Sequence, residues 1–323
     1  MFIMKQEILN ERLLAAIREK IPDGVPIANE LTDILYVGRE SVYRRIRGDV
    51  PFTFYEIALI AKKLNISLDS IVEASDEDKG FFRMANLNFV DPDEADYSHF
   101  EHSLNEYKSY KDMPDLEYGS SCNVIPKVFL FKYRLLTRFS SYKWMFQNGR
   151  IEQMKPFGEV DIPERLYKQR ENIAAELRNI HNSFFVCDRM VFTNFVNEVK
   201  AFAKVQLISD EEILQIKQSL LALISEMEDL SQKGMFENGN YLNLYISNLN
   251  FESTYGYMES GTVRTGMVNI FTLNMLFSNN EKIVEAIKNC VQSMKQLAMQ
   301  ISGSGGAFRI QYFKEQRAIV NTL

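Results

Sequence analysis

The chain has 323 residues, 46% hydrophobic and 25% charged, the composition of a globular protein and not of a disordered, collagen-like or disulfide-rich one. Its 37 Lys and Arg stand against 43 Asp and Glu, a formal net charge of −6, which excludes a uniformly basic coat for nucleic acid. Any duplex contact must come from a local cluster. Cys122, Cys187 and Cys290 are odd in number, far apart and without CxxC spacing, so neither a disulfide framework nor a zinc site is expected. With no signal-peptide pattern at the start and no run of about 18 uncharged apolar residues, a cytoplasmic protein without a membrane span is expected.

Helical periodicity dominates the first 75 residues. Ile8, Leu13, Leu14, Ile17 and Ile21 form the stripe of a first helix, which Pro22-Asp23-Gly24 ends. Helices follow at about Ile27 to Leu35 and Arg39 to Arg47, then from Phe54 to Leu64 behind a Thr53–Glu56 capping box, and from Leu68 to Val72. The polar, acidic residues 76–80 read as a linker between a domain at 1–75 and another at 81–323.

Beyond the linker, residues 81–90 are ambiguous. Helices are expected from Glu94 to about Lys111, Val128 to Phe146, Pro163 to Ile180 and Val191 to Val205, with a loop containing Pro114, Gly119 and Pro126 between the first two. Ser209 with Glu212 opens a helix to about Gln232, and Ser278 with Glu281 opens another to about Ile301. Between these two, Leu242, Leu244 and Ile246 alternate with Tyr241, Asn243 and Tyr245, and Val263 to Phe277 is rich in β-branched and aromatic residues, so a hairpin is expected. The expected fold class is mainly α: an N-terminal five-helix domain, then an α-rich α+β domain containing a β-hairpin.

The informative window is residues 31–48, a helix, a tight turn and a second helix. Val42 and Ile46 fall on one side of the second helix, and Glu40, Tyr43, Arg44 and Arg47 on the other, so one face packs and one faces a partner. Residues 39–47 hold four arginines and one glutamate, net +3, within a domain whose 10 basic and 11 acidic residues sum to −1. A helix fits the major groove, where arginine can pair with guanine and glutamate can accept from cytosine. The residues assigned to bases are Arg39, Glu40, Ser41, Tyr43 and Arg44, and those assigned to phosphates are Arg45 and Arg47.

This window, with Leu31, Thr32, Leu35, Val37, Val42, Arg47-Gly48, Pro51 and Glu56, followed by Ala61, Leu64, Ile66, Ser67, Leu68 and Ile71, resembles the lambda repressor and Cro type of helix-turn-helix regulator over about residues 5–72. The resemblance implies operator reading by the second helix of the motif and binding as a homodimer to a near-palindromic site. The family usually has glycine where Tyr36 stands, because a bulky residue at positive φ is costly; Gly38 is the expected source of relief. The alternative is that residues 27–47 form an αα-hairpin that docks a protein partner.

Residues 127–150 carry six cations and no acid, interleaved with aromatics. Lys127, Lys132, Arg134 and Arg138 are read as a candidate site for an anionic effector or a second DNA contact, against the plainer reading of a core helix whose long basic side chains reach out to solvent. Two helices repeat apolar residues at a and d spacing: Ile213, Ile216, Leu220, Leu223, Met227 and Leu230, and Ile283, Ile287, Cys290, Met294, Leu297 and Ile301. One of them is a candidate homodimer interface. His99 and His102 lack further ligands for a metal, and Gly303-Ser304-Gly305-Gly306 reads as the turn closing a long helix, not a phosphate cradle. No GxSxG, HExxH or paired-carboxylate pattern is present, so no enzyme, cofactor or metal is expected. The expected partners are double-stranded DNA, a second copy of the chain, and a small-molecule or protein effector.

Overall fold

The computed structural model describes residues 6–21, 25–64, 66, 68, 71, 82–84, 87–149, 155–270 and 272–323. They belong to two units, Met1–Lys79 and Gly80–Leu323. The expected linker at 76–80 lies outside the described residues.

Four helices build the described part of the first unit: α1 (Gln6–Lys20), α2 (Ile27–Leu35), α3 (Arg39–Ile46) and α4 (Phe54–Leu64). Leu13, Leu14 and Ile17 of α1, Leu31, Ile34 and Leu35 of α2, Val42 of α3 and Ile60 of α4 meet in one apolar core. The side chain of Ile8 and most of the expected helix at Leu68 to Val72 lie outside the described residues, although Ile71 is buried in this core. The capping box at α4 forms as the sequence suggests: the Glu56 backbone N–H donates to Thr53 Oγ1 and the Thr53 N–H to Glu56 Oε2.

The expectation about the turn is corrected. Gly38 sits at φ −64°, ψ 149°, ordinary extended backbone, and Tyr36 itself takes the left-handed conformation at φ 54°, ψ 37°. Its N–H donates to the Thr32 carbonyl at 3.0 Å, closing α2, and its ring is 86% exposed, so no packing contest adds to the backbone strain. At the end of α3 a glycine does take this role. Gly48, at φ +82°, lets the Asp49 N–H reach the Arg44 carbonyl and its own N–H reach that of Arg45.

The expected mainly-α architecture with a small hairpin is overturned in the second unit, which is built on an eight-stranded mixed sheet in the order β1-β7-β6-β5-β2-β3-β4-β8. The strands are β1 (Arg83–Met84), β2 (Glu117–Cys122), β3 (Asn182–Asp188), β4 (Tyr241–Ser247), β5 (Tyr255–Glu259), β6 (Arg264–Ile270), β7 (Asn274–Ser278) and β8 (Met299–Gln300). The helices are α5 (Glu94–Tyr110), α6 (Lys127–Leu130), α7 (Arg134–Gln147), α8 (Glu164–Leu177), α9 (Val191–Lys204), α10 (Asp210–Lys233), α11 (Glu281–Gln296) and α12 (Gly306–Val320). β2, β3 and β4 run parallel, joined by crossovers through α6–α8 and α9–α10, while β5, β6 and β7 form an antiparallel meander on the other side of β2.

Parallel strands need cover on both faces. Phe185 and Cys187 of β3 join the large core that also holds residues of α7, α9, α10 and α12, whereas Phe184 and Val186 face Val284, Ile287 and Val291 of α11. Gly119 of β2 lies where a Cβ would stand 2.6 Å from the rings of Phe184 and Tyr257, so the central strand accepts only glycine there. The expected single helix over Val128 to Phe146 is two, separated at Phe131–Tyr133, where Thr137 Oγ1 donates to the Leu130 carbonyl. Asn280, not Ser278, caps α11, its Oδ1 accepting the Ile283 N–H at 3.2 Å, and the chain leaves the helix at Leu297 to make β8.

Both apolar repeats have intrachain partners. Ile216, Leu220, Leu223, Met227 and Leu230 of α10 are buried in the core of their own unit, and α11 packs on the sheet. The run Gly303–Gly306 follows β8 and opens α12 instead of closing a helix, and Arg309 Nη1 holds it through the carbonyls of Ile301 and Gly303. No described helix is long and apolar enough to cross a membrane.

Candidate nucleic-acid interface

Val42 is fully buried and fixes the roll of α3, and Ile46 is partly buried on the same side. The roll leaves Arg39, Glu40, Ser41, Tyr43, Arg44 and Arg47 exposed. Tyr43 is 44% exposed although aromatic, an uncommon position for a ring with an apolar body unless a partner covers it. Arg39 is steadied across the motif by Asn29 of α2, whose Oδ1 accepts from its Nη2 at 2.7 Å. Arg47 donates to Asp49 at 3.0 Å and to Glu40 at 3.4 Å while remaining more than half exposed. Arg44 makes no ion pair or side-chain hydrogen bond among the described residues.

Arg45, assigned from the sequence to a phosphate, is committed elsewhere. Its guanidinium grips Glu56 of α4 with two contacts, at 2.8 and 3.1 Å, and its Nη1 donates to the Ser41 carbonyl. Both side chains of the pair are largely buried, at 16% and 11% exposure. Burial alone would raise the Glu56 carboxyl; the bonds from Arg45 and from Thr53 outweigh it and hold the pKa below the usual value. The Thr53–Glu56 box was legible in the sequence, but nothing there showed that its glutamate also tethers α3. With Arg45 neutralised, residues 39–47 carry Arg39, Arg44 and Arg47 against Glu40, +2 in place of the +3 counted from the sequence, and Asp49 beside Arg47 lowers the surplus of the exposed face to +1.

A groove of about 1060 Å³ also opens in the first unit, lined by Leu9, Leu13, Ile46, Phe54, Ile57 and Ile71 among others. Phe54 at its rim is 81% exposed and Tyr55 beside it 71%.

Among the described residues, the basic stretch of the second unit does not form a cationic surface. Lys132 donates to Glu226 at 2.8 Å, and the same carboxylate takes bonds from Tyr133 and Arg178. Arg134 forks between Glu164 and Glu171. Arg138 donates to the backbone carbonyls of Val160, Phe157 and Gly158, its guanidinium 4.6 Å from the Phe157 ring centre. Lys143 pairs with Glu198 at 2.7 Å. Lys127 and Arg138 are the two of the four expected effector contacts that meet no acid among the described residues; the Lys127 Nζ donates to the Leu273 carbonyl at 3.1 Å. No group of three or more His, Cys, Asp or Glu able to hold a metal occurs among the described residues.

Comparison with protein-family models, curated proteins and solved structures gave no match to this chain.

Proposed function

We propose that the protein is a sequence-specific DNA-binding transcriptional regulator, with α3 as the reader in the major groove and the second unit serving dimerisation and effector sensing. The observation that carries this reading is the division of α3 into a buried side at Val42 and an outward face on which Arg44 and Tyr43 are exposed beside Arg39, Glu40 and Ser41. These side chains offer a bidentate donor for guanine, an acceptor for cytosine and an aromatic body for a thymine methyl. Arg47, more than half exposed beside Asp49, is the proposed phosphate contact. The small surplus of charge leaves discrimination to base contacts and keeps nonspecific affinity low.

The test is selection of bound duplexes from a random pool with the full chain, followed by titration of the winner at two salt concentrations. An enriched motif with two half-sites about one helical turn apart, bound more weakly at higher salt, is the expected result. The second reading, docking of a protein by the helix-turn-helix, is favoured by the apolar groove and by exposed Phe54 and Tyr55. It predicts no enrichment and no salt-dependent duplex affinity.

A further inference from the structure

Beyond the C-terminal ends of β2 and β3 the second unit holds a cavity of about 570 Å³, within the size range of small-molecule sites. β2 is the strand at which pairing changes from parallel, with β3, to antiparallel, with β5. The chain leaves β2 toward β3 and β4 and comes back on the other side as β5, so its connections diverge there. Open α/β sheets hold ligands in the crevice outside strand ends at such points. Leu130, Phe139, Phe195 and Leu273 give the cavity apolar walls.

The walls carry Lys127 and Lys143 against Glu198 and the exposed Glu252, and these charges are not evenly paired. Lys143 is neutralised by Glu198, but Lys127, at the start of α6, is given only the carbonyl of Leu273 among the described residues. A second cation stands within electrostatic reach of it. Arg170 of α8 is wholly buried; its Nη1 donates to Ser141 Oγ at 2.9 Å, and its Nε and Nη2 have no hydrogen-bond partner among the described residues. The rings of Phe89 and Phe131, with centres 5.1 and 5.7 Å from the guanidinium, give it polarisable faces but no counter-charge. Burial, and after it repulsion from Arg170, pushes the Lys127 ammonium down to about 7. The Lys127 ammonium and the buried Arg170 guanidinium, neither bonded to a carboxylate among the described residues, cost free energy in a poorly solvated place that an entering anion would return.

We propose that this cavity binds a small organic anion, its carboxylate or phosphate-ester headgroup on the Lys127 ammonium and its apolar body against Leu130, Phe139 and Phe195. The site stands on the geometry of the second unit alone; only its role as a switch for DNA binding rests on the reading of the first. A flat surface cation would bind such a ligand weakly, whereas here apolar walls and low solvation strengthen the charge contact.

Trp144, the only tryptophan of the chain, is buried on α7 next to Lys143 and reports on this region. Titration of the full chain with benzoate, phenyl phosphate and neutral benzamide should give a saturable change in Trp144 emission and a raised melting temperature with at least one anion, and neither with benzamide. A response to benzoate alone assigns a carboxylate, and one to phenyl phosphate alone a phosphate ester. Lys127→Gln should weaken binding by roughly tenfold or more, and Lys127→Arg, which keeps the charge, should restore most of it. On the unsubstituted chain, the bound anion should protect Lys127 from reductive methylation, read by peptide mass mapping, so the answer does not depend on the variants folding. No saturable response to either anion, an equal response to benzamide, or undiminished methylation of Lys127 overturns the proposal. None of these readouts involves DNA, so their failure and the failure of duplex binding are separate results.

Discussion

Residues 39–47 and residues 127–150 are both rich in arginine and lysine, and the fold treats them in opposite ways. In the second stretch Lys132, Arg134 and Lys143 are met by acids that arrive on other elements: Glu226 from α10, Glu164 and Glu171 from α8, Glu198 from α9. Arg138 is taken up by the carbonyls around Phe157. In α3 only Arg45 is met in this way, by Glu56, while Arg44 is left without a partner among the described residues. The density of positive charge along a chain therefore does not mark an interface. The two proposed sites sit at cations the fold leaves without an acid: Arg44, with no side-chain partner among the described residues, and Lys127, with one backbone carbonyl.

This comparison can be broken at its strongest point first. Arg45→Ala leaves the Glu56 carboxylate largely buried and unpaired, and should destabilise the first unit by about 2–3 kcal/mol, read as a lower midpoint in denaturant. Any loss of duplex affinity should then follow the loss of folded protein. Because the folded-state pKa of Glu56 is depressed, its contribution is present above the ordinary carboxylate pKa and is lost as pH falls through the folded value. Acid unfolding of the first unit below about pH 4 should therefore be blunted in Arg45→Ala. An unchanged midpoint in that variant would return Arg45 to the list of phosphate contacts.

Smaller effects sharpen the contrast. Arg138→Ala strips three donors from backbone carbonyls near Phe157 and should cost the second unit about 1–2 kcal/mol without changing duplex affinity. If duplex binding weakened while stability held, the basic stretch would be a DNA contact after all. Tyr36→Gly removes a side chain from left-handed backbone where its ring packs on little, and should stabilise the first unit by about 1 kcal/mol in thermal unfolding. Arg44→Ala removes no side-chain hydrogen bond or ion pair among the described residues and should leave the melting temperature unmoved, which separates it from Arg45 one residue away.

The first unit was legible because its signals are local. The stripe of α1, the capping box at Thr53 and the split of Val42 from Arg44 each lie within a few residues. The sheet was not. β2 reads Glu117-Tyr-Gly-Ser-Ser-Cys122, with no β-branched residue, and its strand character comes from pairing with β3 and β5 sixty and more residues away. The middle of β3 is apolar on both faces because both are covered, so it shows no alternation. β8 was hidden inside the apolar repeat of α11, whose spacing continues past Leu297 although the helix does not. The basic stretch at 127–150 was visible, but Lys127 could be told from Lys132 only after Glu226 had been brought to one of them. The cavity gathers residues from Asn123 to Leu273, and no window of the sequence contains it.

The central claim is that α3 reads bases through side chains the fold leaves exposed, and one titration addresses it. The full chain and its Arg44→Ala variant are each titrated with the duplex recovered by selection and with random duplex at the same salt concentration. The account predicts a loss of about 1–3 kcal/mol on the selected duplex, little change on random DNA, and an unchanged salt slope. Equal losses on both duplexes with a shallower slope would place Arg44 on the phosphate backbone, and no loss on either would contradict the assignment of α3 as the reader.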